Sequence, residues 1–248
     1  MPNSDELSLP RVIGHRGAMA YAPENTEASL REAKARGCSW VEFDVRLTRD
    51  GVPVLIHDAA LNRTTDGTGR VAARDYASLA ERDAGSWFAP DFAGERILTL
   101  ARAVALLGEL GLGANIELKP TRRHQAALAD AVAAVLRARW PDTLPPPLLS
   151  SFDRKILAAL AELNVPWPRG YLAKALPRSW RAQASRLGCA SIHCAQQRLK
   201  KRQARAVKAA GFALAAYTVN DPARMATLFD WGVDAVFADA PDRLIAAL

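Results

Sequence analysis

The chain predicts an α/β protein and, within that class, a (β/α)8 TIM barrel with a small inserted cap after the second strand. Short β-branched runs alternate with longer amphipathic segments rich in Ala, Leu and Arg, the rhythm of parallel strands joined by helical crossovers. Eight such pairs can be laid out in order, and the 248 residues match the roughly 250 that this barrel commonly occupies. The whole chain, 1–248, then reads as one domain, broken only by a stretch at about 47–98 that is too long for a βα connection.

Strands are expected at 11–15, 40–46, 113–118, 147–151, 168–172, 189–194, 212–218 and 234–238. Helices are expected near 25–37, 99–111, 122–139, 154–164, 178–187, 198–210 and 221–231, with a short last one at 241–247. Local chemistry sets these boundaries. Asn25 or Thr26 can cap the first helix, Asp153 the fourth and Asp221 the seventh, where Pro222 suits the first turn. Gly37, Gly111, Gly188 and Gly211 stand where helices should end. The 47–98 stretch carries a hairpin signal at Arg49-Asp50-Gly51, then His57-Asp58, a turn-rich run from Thr64 to Gly69, and the aromatic run Ser86 to Phe92. A long insertion after a barrel strand lies at the carboxyl end, where such barrels keep their active sites, so it is read as a cap over the site.

Bulk properties narrow the function classes. Thirty-three Lys+Arg against 26 Asp+Glu leave a net charge of +7, which favours anionic ligands. The basic run Arg198-Leu-Lys-Lys-Arg-Gln-Ala-Arg205 is read as a solvated helix face and not a nucleic-acid patch, because no aromatic residue interleaves with it for base stacking. No apolar run approaches the roughly 18 residues of a membrane span. Cys38, Cys189 and Cys194 form an odd set without a CxxC pair, which suggests small buried reduced thiols instead of a disulfide framework or a zinc site. The segment Met1 to Pro10 is polar and acidic, with neither the basic nor the apolar region of a secretory leader, so a cytoplasmic location is expected. The partner expected is a small molecule; oligomeric state is not legible.

The chemistry concentrates at strand ends. Gly14-His15-Arg16-Gly17 closes an apolar run and brings an acid/base group and a guanidinium to one loop. Residues two apart on a strand share a face about 6.6 Å apart, so Glu42 pairs with Asp44 and Glu117 with Lys119, and in a barrel that face is the interior. Three carboxylates converging at low dielectric repel strongly unless a cation lies among them, and all-oxygen ligation favours Mg2+, Ca2+ or Mn2+. The competing reading has Glu42 and Asp44 facing solvent and paired with Arg46 and Arg49. Lys119 is either the salt-bridge partner of Glu117 or a group that neutralises charge on a phosphoryl oxygen. Arg16 offers a fork for two phosphoryl oxygens, or an ion pair to Glu24. His15 and His57 each end a strand-like run and can divide general-base and general-acid roles near neutral pH. His124 and His193 lack such neighbours and receive no role. Because no GKS or GKT follows, GxHRG is not a nucleotide-binding P-loop.

An ordered set of motifs resembles the glycerophosphodiester phosphodiesterase family. It comprises His15-Arg16-Gly17, Pro23-Glu-Asn-Thr26, Glu42-Phe-Asp44, His57-Asp58, Arg63-Thr-Thr65 with Gly67-Thr-Gly69, Phe92 to Arg96, Glu117-Leu-Lys119, Ser150 to Asp153, Tyr217 to Asn220 and Gly232 to Asp239. The resemblance implies a divalent cation held by Glu42, Asp44 and Glu117, acid/base catalysis by His15 and His57, and phosphate contacts from Arg16 and Lys119. Tyr217 stands where the family often has tryptophan, as a wall against the glycerol moiety. The implied reaction hydrolyses a glycerophosphodiester to sn-glycerol 3-phosphate and an alcohol. One rival is a phospholipase D-type enzyme on lysophospholipids or sphingomyelin, for which Trp87, Phe88 and Phe92 would supply an apolar mouth. Another is a non-catalytic module that binds phosphorylated ligands.

Overall fold

The computed structural model describes residues 7–248. The first six residues of the polar segment behind the expected cytoplasmic location therefore lie outside the described residues. In chain order the elements are strand β1 (Val12–Gly14), helix α1 (Glu27–Ala35), β2 (Trp40–Leu47), β3 (Pro53–Leu55), α2 (Tyr76–Leu79), α3 (Leu100–Leu110), β4 (Gly113–Leu118), α4 (Gln125–Arg139), β5 (Leu148–Ser151) and α5 (Arg154–Glu162). There follow β6 (Arg169–Ala173), α6 (Trp180–Arg186), β7 (Ser191–Ala195), α7 (Lys201–Ala209), β8 (Ala213–Tyr217), α8 (Pro222–Asp230), β9 (Ala235–Ala238) and α9 (Pro241–Ile245).

Eight of these strands close into a parallel barrel in the order β1-β9-β8-β7-β6-β5-β4-β2, with β1 returning to β2 through Gly14 and Val41. The fold is a TIM barrel. β1 is short and leaves the sheet after Gly14, so the upper edge of β2 is open at Val45 to Leu47. β3 fills that edge, antiparallel, from outside the ring. The caps chosen are Thr26 for α1, Asp153 for α5 and Asp221 for α8, each accepting a hydrogen bond from a backbone N–H in the first turn. Gly37, Gly111, Gly188 and Gly211 all follow helices with positive φ.

Two apolar layers hold the barrel. Outward-facing strand residues such as Val41, Phe43 and Ile116 pack on Leu30, Val104, Leu107, Val132 and Leu157 of the surrounding helices, all fully buried. Truncating Leu107 to alanine there should cost about 2–5 kcal/mol. Inside the ring, Ile13, Trp40, Leu148, Ala215, Ala235 and Phe237 form a separate apolar cluster. Polar residues take over toward the strand carboxyl ends.

Between β3 and α3 the insertion has its own small core of Val54, Ile56, Leu61, Val71, Leu79, Ala84 and Ile97. Its turns are tied by the Asp83 carboxylate, which accepts from the backbone N–H groups of Gly85, Ser86 and Gly94 at 2.9, 2.7 and 2.7 Å. The three cysteines are free and buried. The basic run leading into and along α7 is solvated, with Arg198, Lys200, Lys201, Arg202 and Arg205 exposed. Among the described residues no helix is long and apolar enough to cross a membrane.

Candidate active site

The two residues after β1 are fixed before any ligand arrives. The backbone N–H of His15 donates to Ala238 O at 2.9 Å, that of Arg16 to Glu42 Oε2 at 3.0 Å, and that of Gly17 to Glu42 O at 3.1 Å. Gly17 is at φ +85°, and a Cβ there would stand 2.5 Å from the Ser29 carbonyl, so no other residue fits this turn. The loop therefore presses His15 and Arg16 onto the end of β2.

From β2 and β4 come Glu42, Asp44 and Glu117, only 3, 1 and 8 % exposed. One oxygen from each lies within 4.8 Å of the others, close enough for a single ion to meet all three. The alternative of solvent-facing carboxylates is thereby overturned. Arg46 instead donates to the carbonyls of His57 and Lys119, and Arg49 pairs with Asp75. Asp44 is clamped by Asn25, whose Nδ2 donates to Oδ2 and whose Oδ1 accepts from the Asp44 N–H, both at 3.0 Å. Lys119 Nζ lies 2.7 Å from Glu117 Oε1 and 3.3 Å from Asp44 Oδ1. Arg16 Nη1 lies 2.8 Å from Glu24 Oε1, as its ion-pair reading requires, while Nε is 3.2 Å from Asp44 Oδ2.

The electrostatics are unbalanced at one member. Burial, and then the Asp44 charge, push Glu42 up to about 8, and the same causes raise Glu117. Burial also opposes ionisation of Asp44, but Lys119 and Arg16 outweigh it and hold that carboxyl below its usual range. Glu42 Oε1 is buried without a hydrogen-bond partner.

Each histidine is oriented by a carboxylate. His15 Nδ1 is 2.6 Å from Asp239 Oδ1, and its Nε2 is 3.9 Å from Glu42 Oε2. His57 follows β3 and sits with Nδ1 2.6 Å from Asp58 Oδ1. Burial would lower both imidazoles. In His15 the Asp239 hydrogen bond and Glu42 overcome it, so that group is raised, whereas His57 stays lowered. Both line one cavity of about 400 Å3 with Arg16, Glu42, Glu117, Lys119 and Tyr217. Tyr217 packs edge-on against Phe152 with centroids 5.9 Å apart, and its hydroxyl is buried without a partner. Among the described residues His124 is exposed at the start of α4, away from this cavity, and Trp87, Phe88 and Phe92 stack on one another outside its lining.

Sequence reasoning missed the supporting shell. Arg63 from the insertion reaches Glu24 Oε2 and Oε1 at 2.7 and 2.8 Å and Asp58 Oδ2 at 2.7 Å. It thus links the partner of Arg16 to the partner of His57. Asp239 is held in turn by Asn220, whose Nδ2 donates to it at 2.7 Å. All of these residues stood inside quoted motifs, but a role was hinted at only for Glu24, as an ion-pair partner of Arg16, and for Asp58, by adjacency to His57.

Fold and site together define a TIM-barrel enzyme with an acidic, histidine-bearing cavity at its strand ends. Residues 15–243 match the glycerophosphoryl diester phosphodiesterase family, and the chain belongs to that family and is an enzyme of the phosphodiesterase class. A phosphodiesterase from Oleispira antarctica, solved in complex with the product sn-glycerol-3-phosphate, superposes with a TM-score of 0.94 at 40% identity, covering 96% of each chain. Glycerophosphodiester phosphodiesterases of Caldanaerobacter subterraneus and Bacillus subtilis are 31% and 29% identical, over 94% and 95% of this chain and 96% and 86% of theirs.

Proposed function

We propose that this enzyme hydrolyses glycerophosphodiesters to sn-glycerol 3-phosphate and an alcohol, with one divalent cation at Glu42, Asp44 and Glu117. The observation that carries the cation is the donor set. Three buried carboxylates, one with an orphaned Oε1, meet two permanent cations among the described residues, Arg16 and Lys119, beside the imidazole of His15. Ionised, they leave one negative charge, so a divalent ion makes the site singly positive and a phosphodiester monoanion neutralises it. Oxygen ligation suits Mg2+, Ca2+ or Mn2+. Bound there, the ion supplies Lewis-acid stabilisation of charge on the phosphoryl oxygens.

The chain's own groups supply the rest. Arg16 and Lys119 hold the phosphoryl oxygens, and Tyr217 is a wall for the glycerol carbons. The substrate's 2-hydroxyl attacks phosphorus while one of His15 and His57 takes its proton and the other protonates the departing alcohol. Water then opens the cyclic phosphate by the reverse transfers. Asp239 and Asp58 keep each imidazole in the tautomer with Nε2 toward the cavity. An attacking hydroxyl tethered to its own phosphate gains effective molarity that reaches about 10⁵ M in well-oriented cases. We place the reaction in the cytoplasm, in keeping with three free thiols.

The test is release of glycerol 3-phosphate from glycerophosphocholine, with and without chelator, beside the 2-deoxy analogue. Turnover should vanish with chelation and return with Mg2+, Mn2+ or Ca2+, and the analogue should bind yet scarcely react. Full activity after exhaustive chelation removes the cation. Turnover of the 2-deoxy substrate within a few-fold replaces internal attack by direct attack of water.

A further inference from the structure

Below the carboxylates the barrel interior is not apolar throughout. Asn115 on β4 and His193 on β7 line the same cavity, at 1 and 0 % exposure, and present Oδ1 and Nδ1 without any hydrogen-bond partner. A buried polar atom left unpaired is destabilising, so two such atoms in residues lining one cavity call for a group that completes them. The site around His193 is built. Its Nε2 lies 3.0 Å from Ser191 Oγ, and its ring packs on Phe237 with centroids 5.3 Å apart. Gly170 on the neighbouring β6 leaves the space, since a Cβ there would stand 2.9 Å from the imidazole Cε1 and Nε2. The fold makes room for this ring, locks one nitrogen and leaves the other unpaired.

The chemistry of the two atoms selects the ligand. An amide oxygen accepts only and so disfavours an anion, and a neutral imidazole nitrogen donates or accepts according to tautomer, so the pair together suits a hydroxyl. The closed lower end matches the small constant half of the substrate. The variable alcohol faces the rim, where Phe152 and Lys174 are exposed. We propose that Asn115 and His193 form a hydroxyl-binding floor that receives the glycerol end through its terminal hydroxyl, an inference that rests on the phosphodiesterase function above.

The experiment compares glycerophosphocholine with the analogue whose terminal CH2OH is CH3 and whose 2-hydroxyl is intact. In the unaltered protein kcat/KM should be on the order of 10–100-fold lower for the analogue. In His193→Leu and in Asn115→Leu that ratio should fall toward one, the loss falling on the natural substrate. His193→Gln, which keeps a hydrogen-bonding group, should lie between. Equal kcat/KM on both substrates in the unaltered protein overturns the floor, because ordered water then serves the two atoms. A ratio that survives both leucine substitutions also overturns it. Absence of any hydrolysis of glycerophosphocholine by the unaltered protein overturns instead the phosphodiesterase function, so the two failures are distinct.

Discussion

Arg63 is the side chain through which the insertion reaches both halves of the candidate site, holding Glu24 behind Arg16 and Asp58 behind His57. It does not line the cavity, so its removal should act on the rate and not on substrate affinity. Arg63→Ala should lower kcat by about 10- to 100-fold with KM little changed, and Arg63→Lys should recover only part, since an ammonium cannot hold two carboxylates in one fork. A rise in KM alone would show that Arg63 meets substrate directly. For the histidines themselves, His15→Ala and His57→Ala should each cost on the order of 10²–10⁴ in the chemical step, and exposed His124→Ala almost nothing. Equal losses at all three would mark general damage. Glu42, Asp44, Glu117 and Lys119 were legible because alternation along a strand places them without knowledge of the rest, and His15 and Arg16 because they close an apolar run. Arg63 and Asp239 were not, since Glu24 lies 39 residues from Arg63 and His15 lies 224 from Asp239, and each pair meets only in space.

At the level of elements, the α1 cap links stability to the site. Thr26 Oγ1 accepts from Ser29 N–H and Ser29 Oγ from Thr26 N–H, a reciprocal cap that ends the Pro23-Glu24-Asn25 turn. Thr26→Ala should cost about 1 kcal/mol in urea unfolding. It should also reduce activity less than Asn25→Ala, because only Asn25 touches Asp44; the reverse ranking would mean the cap, not the amide, positions that carboxylate. The barrel strands and helices were readable from hydrophobic period and from caps such as Asp153 and Asp221. Their ends moved by up to three residues. Within the insertion, the hairpin expected at Arg49-Asp50-Gly51 is borne out by the antiparallel pairing of β3 with β2, while the place of β3 outside the ring was not readable. A three-residue strand carries too little period to place it, and the later turns of the insertion are held by the Asp83 side chain.

For the molecule as a whole, acid tolerance should depend on a residue the proposed proton transfers leave unused. Burial alone pushes His193 down to about 3, from 6.5 for a free imidazole. The unfolded chain therefore takes up a proton that the folded chain refuses. Stability from this source is complete above pH 6.5 and declines as pH falls toward 3, by about 3 kcal/mol between about pH 6.5 and 4. Urea midpoints of His193→Leu should be flatter with pH over that window, and an unchanged slope would assign acid sensitivity elsewhere. The seam of the barrel carries a last consequence. Its first and last strands meet through Val12 with Val236, Ile13 with Phe237 and Gly14 with Ala238, and His15 rests on Asp239 just above them. A nascent chain emerging from the ribosome therefore holds nearly every reactive group long before it can use them. On the proposed mechanism turnover needs Asp239 beside His15, so a chain terminated before residue 239 should be inactive.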